Sequence, residues 1–247
     1  MKNEITQIPM IIEQQTALGT NALLNPGKYN GFMGISIQHK FFAPKRMQYY
    51  IEWGSKVFKN FAIVLMDDPD RYNFEVFNSL NADEALTKAR NISDEKKRSY
   101  EKLITALQTD NVRILQFRDF ADNEEYKNIL RQLKEFSVSD QSFHGDLRNL
   151  MRMGIGGKLK EMQESRNIPD SEMRDTIEVL LNYAIEELAS IIYFTEYGYP
   201  IEVDPTIEFT TKTYLYDNNF PRISQSLALT NRGHIYAHPE CAKKDTY

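Results

Sequence analysis

Short apolar segments alternate with longer amphipathic ones from residue 32 onward, and this alternation constrains the fold more than any other feature of the chain. The strand-like segments cover 32–37, 61–66 and 112–117, and the helical patterns around them cover 44–58, 72–80, 83–107 and 123–136. Strands that alternate with helices form parallel sheets, because each connecting helix packs on a face of the sheet. The pattern predicts an α/β fold with a Rossmann-like, mostly parallel sheet flanked by helices.

The second half of the chain is predicted to be mostly helical. Helical patterns cover 139–153, 158–163 and 171–194, and the glycine-rich stretch 154–157 is expected to separate the first two. β-Branched and aromatic residues predict one or two further strands within 200–203, 207–211 and 213–216. No repeat or Gly/Ser linker divides the sequence, so residues 1–247 are predicted to form a single domain.

The composition is that of an ordinary globular protein and excludes several classes of function. The single cysteine, Cys241, excludes an internal disulfide and a multi-cysteine zinc site. No apolar run reaches the roughly 18 residues of a membrane span, and no signal-peptide pattern is present, so a cytoplasmic protein without a membrane partner is expected. The formal net charge of -5 argues against coating nucleic acid with the whole surface, so any nucleic-acid contact must use a local basic patch.

Ser36 stands where a predicted buried strand ends. Gly34 and Ile35 precede it and polar residues follow, so the strand delivers a hydroxyl to the rim of the sheet, where ligands bind in open α/β proteins. Two interpretations stay open, a serine that caps a turn, which is the commoner case, and a nucleophile. The elbow pattern Gly-x-Ser-x-Gly is missing, because position 38 is Gln.

The best-defined predicted helix covers 171–194. Its apolar residues recur at helical spacing, and Tyr183 and Glu187, four residues apart, lie together at one edge of the apolar stripe. Such a pair is usually solvated. The functional alternative is a half-buried acid beside a phenol, which can grip an ammonium group or move a proton.

Three other patterns are interpreted as structural. The acidic stretch 67–70 follows a strand, as metal ligands can, but its turn-forming residues favour a strand-to-helix turn. The glycines of 154–157 are followed by Lys158 and Leu159, whereas a phosphate loop needs Ser or Thr after the lysine. No metal is expected, because the histidines are scattered. They are His39, His144, His234 and His238, and a triad of one of them with Ser36 stays open.

The predicted helix 83–107 carries the densest basic cluster of an otherwise acidic protein. Charge runs of this kind are usually solvated faces, but a phosphate backbone would most readily dock there. The candidate residues are Lys88, Arg90, Lys96, Lys97 and Arg98.

Taken together, Gly34-Ile35-Ser36, the Tyr183-x-x-x-Glu187 pair and the basic helix between them resemble the cyclodipeptide synthases, over about residues 32–200. The resemblance implies one catalytic domain, similar to the catalytic domains of class I aminoacyl-tRNA synthetases. It also implies an aminoacyltransferase that joins the aminoacyl groups of two aminoacyl-tRNAs into a cyclic dipeptide.

The chain departs from the family's motifs at several positions. Asn30 replaces the first motif's His, and Ala189 replaces the second motif's Pro. His39 stands where many members have Asn, and Tyr199-Pro200 stands where those members have Tyr-His. This combination resembles the subgroup with a variable residue after the serine and a Tyr-Pro pair.

The resemblance implies a role for each site residue. Ser36 carries the first aminoacyl group as an ester, and Tyr183 and Glu187 hold its α-ammonium, with Glu187 helping to deprotonate the attacking amine. Tyr199 polarises a carbonyl or relays a proton. A charged tRNA is already an activated ester, so no ATP, metal or other cofactor is implied.

The same resemblance implies a substrate pocket and two partners. Gly34 lets the substrate approach the strand, and the walls of the first side-chain pocket are expected to be Phe32, Met33 and Leu65, with His39 near the nucleophile. Two aminoacyl-tRNAs dock on the basic helix of an enzyme expected to be a monomer. The alternatives are a serine esterase or acyltransferase with a histidine partner for Ser36, and a non-catalytic tRNA-binding domain.

Overall fold

A computed structural model describes residues 10–205 and 232–240. Within these residues six strands form one sheet in the order β1-β6-β5-β2-β3-β4. The strands are β1 Met10–Gln15, β2 Gly31–Ile35, β3 Phe61–Leu65, β4 Val112–Gln116, β5 Ile201–Asp204 and β6 Gly233–Pro239. All neighbouring strands are parallel except β1 and β6. The predicted α/β fold with a mostly parallel sheet is confirmed.

Helices cover both faces of this sheet. Helices α1, α2 and α4 pack on one face and α5, α6 and α7 on the other, while α3 lies between α4 and α7. The helices in the described residues are α1 Ala17–Leu24, α2 Pro44–Val57, α3 Asp67–Asn78, α4 Ala82–Leu107, α5 Glu124–Ser139, α6 Gln141–Arg166 and α7 Asp170–Glu196.

The central strands divide their side chains between two cores. Because successive residues of a strand point to opposite faces, Phe32 and Val64 pack with α5, α6 and α7, whereas Met33 and Leu65 pack with α2 and α4. Ser36 follows β2 in the same alternation as Phe32. Its hydroxyl therefore lies on the α7 side of the sheet.

Helix α6 corrects one prediction, since the glycine-rich stretch 154–157 does not separate two helices but lies inside one. Each glycine in a helix interior costs about 1 kcal/mol relative to alanine. The apolar stripe continues on both sides of the stretch and packs into the core, and this tertiary packing outweighs the weak local propensity. The stripe consists of Leu147, Leu150, Met151, Ile155, Leu159 and Met162.

Helix α3 begins at Asp67, five residues before the predicted start at residue 72. The acidic stretch that was interpreted as a turn is therefore the first helical turn, where carboxylates interact favourably with the positive end of the helix dipole. This difference matters for the site, because it directs Asp70 toward the end of β2.

The sheet also contains two strands, β1 and β6, that the sequence did not predict. The predicted strand at 200–203 corresponds to β5, whereas those at 207–211 and 213–216 lie outside the described residues. None of the helices in residues 10–205 is both long and apolar enough to cross a bilayer.

Candidate active site

A cavity of about 290 Å³ opens where β2 and β5 end, between the sheet and α7. Ser36 lies at its rim directly after β2, and Tyr183 and Glu187 face it from one turn of α7. The structure thus brings together three predicted catalytic residues that are about 150 positions apart in the sequence.

The hydroxyl of Ser36 is hydrogen-bonded to a buried carboxylate. Its Oγ donates to Asp70 Oδ2 at 3.0 Å and lies 3.2 Å from Oδ1. The same carboxylate accepts the backbone N–H of Ile37 at 2.7 Å and the side-chain amide of Asn73 at 2.8 Å. Asp70 is thereby fixed against the start of the chain that leaves β2, with one oxygen at the nucleophile.

Burial raises the pKa of Asp70, and the hydrogen bonds from Asn73, Ile37 and Ser36 oppose this effect without reversing it. A carboxylate with a raised pKa is a better proton acceptor. Sequence reasoning missed Asp70, although one signal was available. Because β3 is parallel to β2, the acids that follow β3 lie at the same sheet edge as Ser36.

Opposite Ser36, α7 presents a second carboxylate. The phenol of Tyr183 lies 3.4 Å from Oε1 of Glu187 and donates to it. Burial raises the pKa of Glu187 to about 7, with a further contribution from the negative charge of Asp70, while the Tyr183 hydrogen bond lowers it. The negative charges of Asp70 and Glu187 both act on this cavity, so the cavity favours the binding of a positively charged group.

The deeper part of the cavity is apolar. Phe32 and Phe194 stack with ring centroids 5.3 Å apart, and the other apolar walls come from both the sheet and the helices. Those walls include Val64, Met66, Met151, Ile155, Leu188 and Ile191.

Two predicted wall residues require correction. Met33 and Leu65 are fully buried in the core on the opposite face of the sheet, because the alternation of β2 and β3 turns them away from α7. Their neighbours Phe32, Val64 and Met66 form the wall instead.

Gly34 lines the cavity. An added Cβ at this position would meet no atom within 4 Å, so the missing side chain leaves open space in front of β2. The glycine therefore contributes volume to the cavity.

His39 lines the mouth of the cavity and lies among cations. Its Nδ1 accepts the backbone N–H of Phe41 at 3.1 Å. Burial lowers the pKa of His39, and the positive charges of Lys158, Arg46 and Lys96 lower it further. The mouth of the cavity is thus positively charged, whereas the carboxylates lie beside Ser36 and on α7.

Comparison with known families agrees with this geometry. A sequence profile described as cyclodipeptide synthase matches residues 24–192, which include Ser36, Asp70, Tyr183 and Glu187. The chain belongs to the cyclodipeptide synthase family. It is therefore an aminoacyltransferase that uses aminoacyl-tRNAs. No curated protein sequence matches the chain.

Solved cyclodipeptide synthases share the fold. A crystal structure from Bacillus thermoamylovorans is 18% identical, with a TM-score of 0.71 over 95% of this chain and 97% of that one. A Mycobacterium tuberculosis protein, reported to show that these enzymes are related to type I tRNA synthetases, is 15% identical, with a TM-score of 0.70 and 95% of both chains covered. A synthase from Candidatus Glomeribacter gigasporarum bound to Phe-tRNAPhe is 14% identical, with a TM-score of 0.60 over 92% and 93%.

In this cyclodipeptide synthase Tyr199 lies away from Ser36, which corrects the predicted role. Tyr199 precedes β5, whereas Ser36 follows the parallel strand β2, so the two residues flank opposite ends of the strands. The Tyr199 ring contacts Phe194 at the deep end of the cavity, with centroids 5.8 Å apart. At the other end of β5 its last residue, Asp204, and the following Pro205 line the cavity.

The five predicted tRNA-binding cations do not form one face of α4. Lys88 and Arg98 are exposed, but Arg90 grips Asp68 through two hydrogen bonds of 2.8 Å and Lys97 lies 3.3 Å from the side-chain oxygen of Gln116. Lys96 alone reaches toward the cavity mouth, where it lies 3.3 Å from the carbonyl oxygen of Phe42. Arg90 and Lys97 thus hold α4 to its neighbours.

The histidine triad of the esterase alternative does not correspond to this site, since Ser36 donates to Asp70. His144 and His238 pair with Glu178 and Glu13 away from the cavity. Among the residues that the structure describes, no group of three or more His, Cys, Asp or Glu side chains is placed to hold a metal ion.

Proposed function

We propose that this cyclodipeptide synthase forms its product through an aminoacyl ester on Ser36. The observation that supports the proposal is the hydrogen bond from Ser36 Oγ to Asp70, at the rim of a cavity that Tyr183 and Glu187 face from the other side. A nucleophile, a base and a binding group for an ammonium ion are the groups that such a transfer needs.

In the first step Ser36 Oγ attacks the carbonyl carbon of the aminoacyl ester, and Asp70 accepts the hydroxyl proton. The bond to the ribose oxygen of the tRNA breaks, and that oxygen takes the proton from Asp70 and leaves as a hydroxyl. The raised pKa of Asp70 suits it to this role, because the proton acceptor must not be too weak a base. No histidine is needed between the two groups.

Glu187 and Tyr183 hold the α-ammonium of the bound aminoacyl group. Burial and the charge of Asp70 raise the pKa of Glu187 to about 7, and an ammonium group beside it would stabilise its ionised form. When that ammonium later gives up its proton, Glu187 is the adjacent acceptor. The freed amine then attacks the ester of the second aminoacyl-tRNA and the first peptide bond forms. The bond to the ribose oxygen of that tRNA breaks, and this oxygen takes the proton that the amine loses.

The apolar depth of the cavity indicates the class of the first amino acid. Phe32, Phe194 and the aliphatic side chains around them would bury an apolar or aromatic side chain below Ser36. Burial of such a side chain is favourable by about 25 cal/mol per Å² of apolar surface. A large apolar aminoacyl group is therefore the proposed first substrate.

The cations at the mouth support docking of the tRNA end. Lys96, Arg46 and Lys158 come from α4, α2 and α6 and surround His39, so phosphates next to the esterified ribose would meet them as the aminoacyl group enters. Lys88 and Arg98, exposed on other parts of α4, are proposed to contact the tRNA away from its esterified end. Because both substrates are charged tRNAs, we also propose that the enzyme acts in the cytoplasm, as a monomer with one catalytic domain.

The experiment combines product and adduct detection. The purified protein is incubated with charged tRNAs, cyclic dipeptides are measured by mass spectrometry, and the intact protein is weighed after rapid quenching. We expect a product and an aminoacyl adduct for the wild type and neither for Ser36→Ala. Ser142→Ala, at an exposed serine on α6, is the matched control and should behave as wild type. A Ser36→Ala enzyme that still makes the product would refute the proposal.

A further inference from the structure

The end of β5 places one more carboxylate in the cavity, that of Asp204. We infer that Asp204 is a catalytic residue that accepts the proton of the second amino group during ring closure. This inference rests on the proposed function, because it assumes the dipeptidyl ester on Ser36. Neither the family motifs nor the sequence reasoning assigned a role to this position.

Asp204 lies on the same cavity as Ser36 and the open space at Gly34. Gly31 pairs with Ile201 and Phe32 with Glu202, and β5 continues for two residues beyond that last pair to Asp204. Ser36, Gly34 and Asp204 all line the cavity. An added Cβ at Gly34 would meet no atom within 4 Å, so this part of the cavity has room for the backbone of a dipeptide.

The alternation of β5 directs the side chain to the correct face. Ile201 and Val203 belong to the core beneath α2 and α4, so Glu202 and Asp204 lie on the α7 side. Glu202 lies deeper, level with Phe32, and is ion-paired with the buried Arg232. Asp204 is the acid of β5 at the level of the open space in front of Gly34, where a substrate backbone fits.

The chemistry of the reaction requires a second proton acceptor. Each aminoacyl group arrives with an α-ammonium, and each of the two peptide bonds forms only after one of these has lost a proton. Glu187 serves the first amine, and Asp70 is engaged with Ser36 and with the backbone of Ile37. The second amine belongs to the residue that is added later. Among the described residues that line the cavity, Asp204 is the carboxylate left to serve it, because Glu202 is ion-paired with Arg232.

Ring closure consists of a proton transfer, a nucleophilic attack and the release of Ser36. The ammonium of the second residue transfers one proton to the carboxylate of Asp204. The neutral nitrogen attacks the carbonyl carbon of the Ser36 ester, a new C–N bond forms, and the bond from that carbon to Ser36 Oγ breaks. Asp70 takes the second proton of the attacking nitrogen and passes it to the serine oxygen, and Asp204 later releases its own proton to water. The cyclic dipeptide leaves and Ser36 is free again.

The test separates the steps by mass. Asp204→Asn, Asp204→Glu and the wild type are mixed with charged tRNAs, and both the adducts on Ser36 and the released product are followed over time. For Asp204→Asn we expect single-residue adducts to form at the wild-type rate, dipeptidyl adducts to accumulate, and cyclic product to form about 100-fold more slowly. Asp204→Glu keeps a carboxylate and should recover part of the ring-closure rate. Asp110→Asn, at an exposed turn, is the matched control and should match the wild type.

Three outcomes would overturn the inference. They are wild-type product formation by Asp204→Asn, accumulation of only the single-residue adduct, and loss of every adduct by a variant that still melts cooperatively. If Asp204→Asn does not fold, Asp204→Glu provides the test. A variant with a wild-type rate of ring closure and a slower first acylation would contradict a role of Asp204 in ring closure. Absence of any adduct in the wild type would instead refute the proposed function itself.

Discussion

The raised pKa of Glu187 predicts that this cyclodipeptide synthase becomes more stable when its binding carboxylate is neutralised. A change in carboxyl pKa from 4.5 to about 7 makes the ionised form about 3 kcal/mol less favourable in the folded protein than in the unfolded chain. The Glu187→Gln variant removes the ionisation and keeps the shape of the side chain. It should therefore gain up to about 3 kcal/mol of unfolding free energy at alkaline pH.

The sign of the pH dependence follows from proton binding. Between pH 4.5 and about 7 the folded protein holds a proton on Glu187 that the unfolded chain has released. The wild type therefore loses stability as the pH rises through this window, by about 1.4 kcal/mol per pH unit, and the loss is complete above it. Below pH 4.5 the wild type and Glu187→Gln should be equally stable.

Thermal unfolding at pH 5 and pH 8.5 is the measurement. For a chain of this size a change of 1 kcal/mol in the unfolding free energy shifts the melting temperature by about 2–4 °C. Glu187→Gln should therefore melt about 6–12 °C above the wild type at pH 8.5 and at nearly the same temperature at pH 5. The matched control is Glu186→Gln on the same helix. Glu186 is buried and accepts two hydrogen bonds from Arg71, so its loss should destabilise by about 2 kcal/mol at both pH values. A Glu187→Gln enzyme that is less stable than the wild type at pH 8.5 would refute the reasoning.

Three further predictions test other parts of the site. Asp70→Asn should slow acylation of Ser36 by about 100-fold or more in single-turnover assays with charged tRNA, and an unchanged rate would exclude Asp70 as the base. Phe32→Ala should change which aminoacyl groups are accepted, as competition between substrates for product formation would show. Met33→Ala should leave that selectivity unchanged and lower the free energy of unfolding by about 2–5 kcal/mol, as denaturation would show. Replacing Arg46, Lys96 and Lys158 by Glu should weaken tRNA binding and reduce its dependence on salt, and an unchanged salt slope would contradict their phosphate contacts.

The fold could be predicted from the sequence where local pattern and tertiary structure agree. The strands at 61–66 and 112–117 and the helix at 171–194 have strong periodicity, and the structure places elements there within a few residues. The glycine-rich stretch in α6 differs, because its local propensity indicates a break and only packing against the core overrides it. Strands β1 and β6 were missed because their partners are each other and β5, which is information that no local window contains.

The site residues also differ in whether local sequence pattern or tertiary structure determines their positions. Ser36, Tyr183 and Glu187 lie on strongly patterned elements, so their positions could be predicted, and the cavity contains them. Asp70 lies on α3 just after β3, and Asp204 ends β5. Because β3 and β5 flank β2, the presence of both acids at the cavity of Ser36 depends on the order of the strands in the sheet. Met33 and Leu65 were predicted on the wrong face of the sheet. Side chains alternate between the two faces with a period of two residues along a strand, and this alternation places both residues on the face opposite Ser36.

The distribution of charge in the cavity explains why this enzyme takes an ester and not a free amino acid. A free amino acid carries a carboxylate next to its ammonium, and that carboxylate would meet the negative charges of Asp70 and Glu187, whose pKa values already reflect poor solvation. Esterification to tRNA removes the substrate's negative charge and leaves the ammonium, which both carboxylates attract. The negative charge of the tRNA would lie further out, at the mouth, where we propose that Lys96, Arg46 and Lys158 contact it. The ammonium and the phosphates of an aminoacyl-tRNA terminus thus match the carboxylates and the cations of one cavity, whereas a free amino acid brings a carboxylate that Asp70 and Glu187 repel.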